Sequence, residues 1–429
     1  MEQKSGNQWK LGSLFGIPLI IDASWLFIVG LVTFVNAIAW QSEFPQWGIG
    51  ITWTVGFLTA ILLFVSVLLH ELGHSLVAKS QGITVNSITL FLFGGIASLD
   101  AEAKTPGAAF WVAIAGPLVS LSLWLGLGQV ASWMPEQSAP QVMFQNLSEI
   151  NLILVLFNLI PGLPLDGGQV LRAGIWKVTG NRFKGAHWAA KVGQALGWTA
   201  VIVGLFVVLL AGSFSGMWMA LLGWYGLRNA YRYDRYTDLQ EKILALTAQD
   251  VMQRSFRVVK AKQSLRDFVD QYLIYSEETP VFFAAADGRY RGRVELDRLS
   301  GIERSLWEQH TVEEILTPLP ALPTVQERDP LTNVILSLED QQLHHMVVLS
   351  PAGAIAGLID RADIVQAVLQ AMELSLPSEE LERIRSEHQY PAFLQIPMIA
   401  KNALGTETSL ATPESDDPQD KTLVHRERA

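Results

Sequence analysis

The chain has 429 residues, of which 50% are hydrophobic and only 17% charged, with a positive mean hydropathy. That is too long for one ordinary domain and too apolar for a purely soluble protein. The net charge of -10 argues against nucleic-acid binding, which needs a basic face, and the absence of cysteine excludes disulfides and thiolate zinc sites, so any metal must be held by His and carboxylate groups.

The averages conceal two unlike halves. Residues 1–235 contain 13 of the 14 Trp and about 22 charged residues, whereas the remainder holds about 50 charges. The sequence therefore reads as a membrane half followed by an acidic soluble half. Met1 to Lys10 is polar, and the apolar stretch from Pro18 lacks a small-residue cleavage site, so it reads as a retained span rather than a signal peptide. Six apolar stretches follow, near 18–40, 51–79, 107–134, 148–176, 188–211 and 214–230.

The second stretch contains His70-Glu71-Leu72-Gly73-His74. Residues four apart share a helix face, so His70 and His74 can bind one metal ion together, with Glu71 beside it to take a proton from water. The alternative is a buried histidine pair bonded to backbone, but ionisable groups at membrane depth are costly and functional by default. Residues Ile83 to Leu99 are rich in β-branched and aromatic types around Gly94-Gly95 and predict a strand pair with a glycine turn. Such strands cannot face lipid, so they must be buried in protein or lie at the interface, where an edge beside a metal could pair with an extended substrate.

The fourth stretch breaks at Pro161-Gly162-Leu163-Pro164-Leu165-Asp166-Gly167-Gly168. Broken helices in membranes line cavities or sites, and Asp166 is the natural third ligand, although Asp before Gly-Gly is also ordinary turn chemistry. Depth offers a check. His70 lies 19 residues after Ile51 and Asp166 lies 18 after Ser148, which puts both roughly 28 Å from the outer face. Asn158, inside the apolar run, serves either to hydrogen-bond a substrate carbonyl or oxyanion or to satisfy the broken backbone. Asn151 reads as a packing residue, and His187, His310, His344 and His345 as surface or interface residues.

The connections Gln41 to Gly50 and Pro135 to Leu147 carry no Lys or Arg. The other side carries Lys79, Lys104, Arg172, Lys177, Arg182, Lys184, Arg228 and Arg232 among others. Positive-inside asymmetry thus places both termini and the soluble half in the cytoplasm of a multi-pass protein of the cell inner membrane or its equivalent.

On these residues, His70 to His74, Phe93-Gly94-Gly95, and Asn158 with Leu165-Asp166-Gly167-Gly168, the membrane half resembles the site-2 protease family of intramembrane zinc metalloproteases. The resemblance covers about residues 10–235 and implies a six-helix metalloprotease core with a membrane-associated β-hairpin. It implies one zinc ion per chain on His70, His74 and Asp166, with Glu71 as acid/base and Asn158 as a substrate or transition-state contact. The implied partners are the lipid bilayer and single-span membrane proteins, such as a membrane-anchored transcription regulator or an anti-sigma factor. No PDZ domain is inserted between the spans.

The soluble half, residues 245–370, resembles a tandem cystathionine-β-synthase (CBS) pair of α+β type, with a repeat of about 60 residues. One unit starts at Asp250-Val251-Met252 and the next at Thr311-Val312-Glu313, each with a short helix, a strand (Phe256 to Lys260, Ala321 to Val325), a helix and two strands. In such units a hydroxyl residue and an Asp hold a nucleotide ribose. Asp363 fits the second role, but Asp360 stands in place of the hydroxyl residue, and Gly292 to Asp297 of the first copy departs further. An adenine nucleotide at Asp363 and a homodimer through the pair are what this resemblance implies. Residues 371–429 read as a charged helix followed, from Gly405, by a disordered tail. Two rival functions are a CBS-gated transporter and a non-catalytic scaffold. A conduit needs no hydrolytic Glu between ligands, and a scaffold needs no complete ligand set.

Overall fold

The computed structural model of the chain describes residues 8–91, 94–274, 281–391 and 394–407. Phe93 of the glycine turn and residues 408–429 of the tail lie outside them. The chain divides into two compact units, the first ending at Thr237 and the second spanning Asp238–Leu404.

The first unit opens on a feature not anticipated from sequence, two antiparallel strands, β1 (Gln8–Leu14) and β2 (Ile17–Asp22). The Phe15-Gly16 turn joins them, with both residues at positive φ. Residues 18–22 thus belong to a strand rather than to the first span, which begins with helix α1 (Ser24–Glu43) after Asp22 accepts from the Ser24 amide at 3.0 Å. Helix α2 (Gly48–Ser80) follows, then β3 (Val85–Phe91) and β4 (Gly94–Leu99). The four strands form one sheet in the order β1-β2-β3-β4, with β2 and β3 parallel and β3 and β4 antiparallel. Ile17, Val85 and Ile88 pack on Leu72 and Ala78 of α2, so the sheet buries apolar side chains against protein.

Helix α3 (Pro106–Ser132) is capped by Thr105, whose hydroxyl accepts from the Ala108 amide. Helix α4 (Ala139–Asn158) starts nine residues earlier than the expected fourth span, because Ser138 caps it and Pro140 fits its first turn. It stops at Asn158, and the chain re-enters helix only at α5 (Asp166–Thr179). Helices α6 (Arg182–Ala211) and α7 (Phe214–Ala245) follow, and the boundary at Thr237 falls within α7. Among the described residues four helices, α1, α2, α3 and α6, are long and apolar enough to cross a membrane, against six expected stretches. The fourth is divided by its Pro/Gly break, and the sixth has apolar sequence only from Phe214 to Leu227 before Arg228.

Small residues let these helices approach closely. A side chain at Gly73 of α2 would press on Ala115 and Val119 of α3, and one at Gly56 would meet Thr33 and Ala37 of α1. Buried polar groups are bonded across helices: Asn151 of α4 donates to Ser66 Oγ of α2 at 3.2 Å, and Ser148 donates to the Trp124 carbonyl of α3 at 2.7 Å.

In the second unit the short helix α8 (Ala248–Val251) leads to β5 (Phe256–Lys260), α9 (Leu265–Tyr272), β6 (Val281–Ala286), β7 (Arg289–Val294) and α10 (Leu296–Leu299). After β8 (Leu316–Pro318) the pattern recurs as β9 (Thr324–Gln326), α11 (Leu331–Asp340), β10 (His345–Leu349), β11 (Ile355–Asp360) and α12 (Arg361–Ala371). In both copies the first strand is parallel to the second and the second antiparallel to the third, the strand-helix-strand-strand order expected of a CBS pair. The second copy's first strand lies at Thr324–Gln326 rather than Ala321 to Val325, because residues 319–321 form a 3-10 turn at Pro320. Helices α13 (Ser378–Glu387) and α14 (Ile396–Glu407) follow.

The two copies exchange their leading segments. Thr247, capping α8 through Asp250, bridges Pro330 ahead of α11, and Gln253 pairs with Leu358 of β11. Correspondingly Thr311, in a capping box with Glu314, bridges Ser264 ahead of α9, and β8 pairs with β7. Phe283, Val347 and Leu358 form one shared core between the copies.

Candidate metal centre

Helix α2 presents His70 and His74 one turn apart, and the break after α4 returns the chain so that Asp166 opens α5. The break is built on glycine: a side chain at Gly167 or Gly168 would collide with the backbone of Leu159 to Leu163, so no larger residue lets α5 start there. His70 Nε2 lies 3.2 Å from His74 Nε2 and 3.2 Å from Asp166 Oδ2, and His74 Nε2 lies 3.4 Å from that same oxygen. A tetrahedral zinc ion with bonds of about 2.0–2.1 Å has ligand–ligand edges of about 3.3–3.4 Å, so these three atoms fit one face of such a polyhedron and leave the fourth corner open.

The remaining ring nitrogens are also held. His74 Nδ1 donates to the Val112 carbonyl at 2.6 Å, and His70 Nδ1 meets Ser120 Oγ at 2.9 Å, both from α3. Outer partners of this kind fix ring orientation and, for His74, leave Nε2 as the lone-pair nitrogen. Between them, Gly116 of α3 faces the imidazoles: a methyl there would fall on both Nε2 atoms. Ser120, Val112 and Gly116 escaped the sequence reading, since small residues in an apolar helix give only a packing signal.

Glu71, half-buried, lies with its side chain against Gly95 of β4, where a Cβ would collide with it. Strand β4 pairs with β3 on one side only and forms an edge of its sheet. The centre thus joins three clustered donors, one adjacent carboxylate and, among the described residues, the edge strand of the sheet. Asn158 is the last residue of α4, half-buried at the start of the break.

Asp363 lies in the second unit, at the first turn of α12, and is 4% exposed. Its Oδ2 accepts from the Asp360 amide at 3.0 Å and its Oδ1 pairs with Arg385 of α13 at 3.3 Å, while Arg385 also meets Asp360 Oδ2 at 2.9 Å. Burial, reinforced by the Asp360 carboxylate, pushes the Asp363 carboxyl up to about 7. Sequence offered this carboxylate to a ribose; in the folded chain both its oxygens are engaged internally. Of the other histidines, His187 pairs with Asp234 at 2.7 Å, His310 with Glu314 at 2.5 Å, and His345 contacts Arg293. His344 stacks on His388 with ring centroids 4.0 Å apart.

A family model described as peptidase family M50 matches residues 58–146 and 129–200. A Synechocystis sp. protein named as a zinc metalloprotease is 41% identical over 367 residues, 85% of this chain and 97% of that one. A zinc metalloprotease of Methanocaldococcus jannaschii is 29% identical over 381 residues, 87% of this chain and 98% of that one. The solved structure of the site-2 protease from the same archaeon shares 31% identity, covering 53% of this chain and 95% of that chain, with a TM-score of 0.38.

Proposed function

The chain belongs to peptidase family M50, the integral-membrane zinc metallopeptidases of site-2 type, and from that premise we propose that it cuts transmembrane segments of regulatory membrane proteins. The observation that carries this reading is the triangle of His70, His74 and Asp166 at zinc spacing, with Glu71, next to His70 in sequence, packed on Gly95 of the edge strand β4.

His70, His74 and Asp166 would hold the zinc. When bound, the ion supplies Lewis acidity toward the scissile carbonyl and lowers the pKa of an attacking water. Glu71 accepts that water's proton and passes it to the leaving amide nitrogen. Val112 and Ser120 keep the imidazoles aimed inward. A transmembrane helix hides its peptide bonds in its own hydrogen bonds, so the substrate must unwind first, and β4 offers the unwound strand backbone partners. Asn158 donates its carboxamide N–H to the substrate carbonyl or the developing oxyanion. The substrates are single-span proteins such as a membrane-anchored transcription regulator or an anti-sigma factor.

The ligand set is tested by metal analysis of purified protein together with co-expression of a candidate single-span regulator. His74→Ala and Asp166→Ala each lower zinc well below one per chain and abolish cleavage. Full zinc retention in both variants removes these residues from the site. Orientation follows from the basic connections: reporter fusions at Gln46 and Gln137 read as external and one at Lys184 as cytoplasmic, and the reverse pattern overturns the cytoplasmic placement.

The CBS pair serves as the regulatory or assembly module, in a homodimer. Because Arg385 already occupies the Asp360 and Asp363 carboxylates, an adenine nucleotide reaches Asp363 only by displacing it. The Arg385 side chain is 45% exposed, and solvent-screened pairs are worth about 0.2–1 kcal/mol, so Arg385→Ala tightens AMP or ATP binding by up to about fivefold. Titration calorimetry on the full chain measures this. Absence of binding in both wild type and variant assigns the pair to assembly alone.

A further inference from the structure

Arg172 is a buried cation that the proteolytic reading leaves without a task. It lies on α5, six residues or roughly 9 Å along the axis from Asp166. Its side chain is 12% exposed and meets the Glu102 carboxylate in an ion pair. It also donates to Tyr233 Oη of α7 at 2.6 Å and to Gln169 Oε1 at 3.4 Å. Burying a guanidinium is costly, a cost that a neutral residue at this position would avoid.

Position gives the pair its meaning. Glu102 stands three residues past the end of β4, the strand whose Gly95 packs on Glu71. Arg172 stands on the helix that begins with Asp166. The pair therefore ties the segment leaving the docking edge to the element bearing the third ligand. The spacing between those two parts decides which peptide bond of an extended substrate lies over the site. A strand advances about 3.3 Å per residue, so a shift of a few ångströms presents the neighbouring bond.

We propose that Glu102 and Arg172 form a register clamp: positioning residues that fix which bond of the docked substrate is cut. The clamp rests on the proteolytic reading above, with β4 as the docking edge. Neither residue belongs to the donor cluster of His70, His74 and Asp166.

The test uses the purified full chain, zinc-loaded, and one single-span substrate, with product masses, kcat, KM and zinc content read separately. Wild type gives one dominant cleavage site. Glu102→Gln and Arg172→Gln retain zinc, add cuts at adjacent bonds and lower kcat about ten- to hundredfold, the scale on which small misplacements act, with KM changed less. The double exchange Glu102→Arg with Arg172→Glu restores the single site in part. Glu102 is the milder position, its side chain being 36% exposed, and its product masses decide the matter if Arg172→Gln fails to accumulate. Unchanged product masses with only a lower yield, or loss of zinc in Glu102→Gln, overturn the clamp. A zinc-loaded wild type that cuts nothing overturns the proteolytic reading, and the clamp with it.

Discussion

Glu71→Gln leaves zinc in place and lowers peptide-bond cleavage by about 10²–10⁴-fold, the range that a positioned acid/base contributes. Gln is nearly isosteric with Glu, so the packing of the side chain on Gly95 survives and the three clustered donors are untouched. What disappears is the capacity to take a proton from water and give it to the leaving nitrogen. The measurement is single-turnover cleavage alongside metal analysis of the same sample. Near-wild-type turnover in a fully metallated variant would take Glu71 out of the mechanism. A variant that loses zinc would instead make Glu71 a support for the site rather than its base.

The second large effect belongs to a residue with no polar atom in its side chain. Gly116→Ala removes zinc from the protein and cleavage with it, with an affinity loss at least as large as the about 10–100-fold that outer-shell changes cost. Elsewhere in a helix the same substitution is favourable by up to about 1 kcal/mol, because Ala is the better helix former. At Gly116 the new methyl falls on the Nε2 atoms of His70 and His74. Gly126 supplies the control on the same helix, since nothing lies within 4 Å of a Cβ there. Gly126→Ala keeps one zinc per chain, and circular dichroism shows both variants folded. Full zinc in Gly116→Ala would refute the idea that α3 closes the metal site.

The first two donors were legible because a four-residue spacing is itself a geometric statement about a helix. Asp166 was legible because prolines and glycines in a membrane span announce a break, and a break in lipid needs a reason. The third wall of the site was not. Val112, Gly116 and Ser120 act across an interhelical contact, and nothing within their own helix distinguishes them from packing residues. The N-terminal strands were hidden for a related reason. Ile17 to Asp22 is apolar and abuts an apolar helix, so hydropathy merged the two, although Phe15-Gly16 marked the turn. In the second unit, Asp363 sat in a recognisable pattern, yet its actual partner, Arg385, comes from a helix beyond the repeat, and no local spacing could reveal it.

The exchange of leading segments in the second unit limits how that unit can come apart. Residues 247–253 complete the copy that begins 60 or so positions later, and β8, which opens that later copy, completes the earlier one. Chain order and spatial order are interleaved. Excising either copy at the boundary of its repeat would strand one open sheet edge in each product and expose the shared core of Phe283, Val347 and Leu358. Neither copy is therefore an independent folding unit, and a disturbance that loosens one must loosen the other, so the pair responds to stress as a single cooperative block.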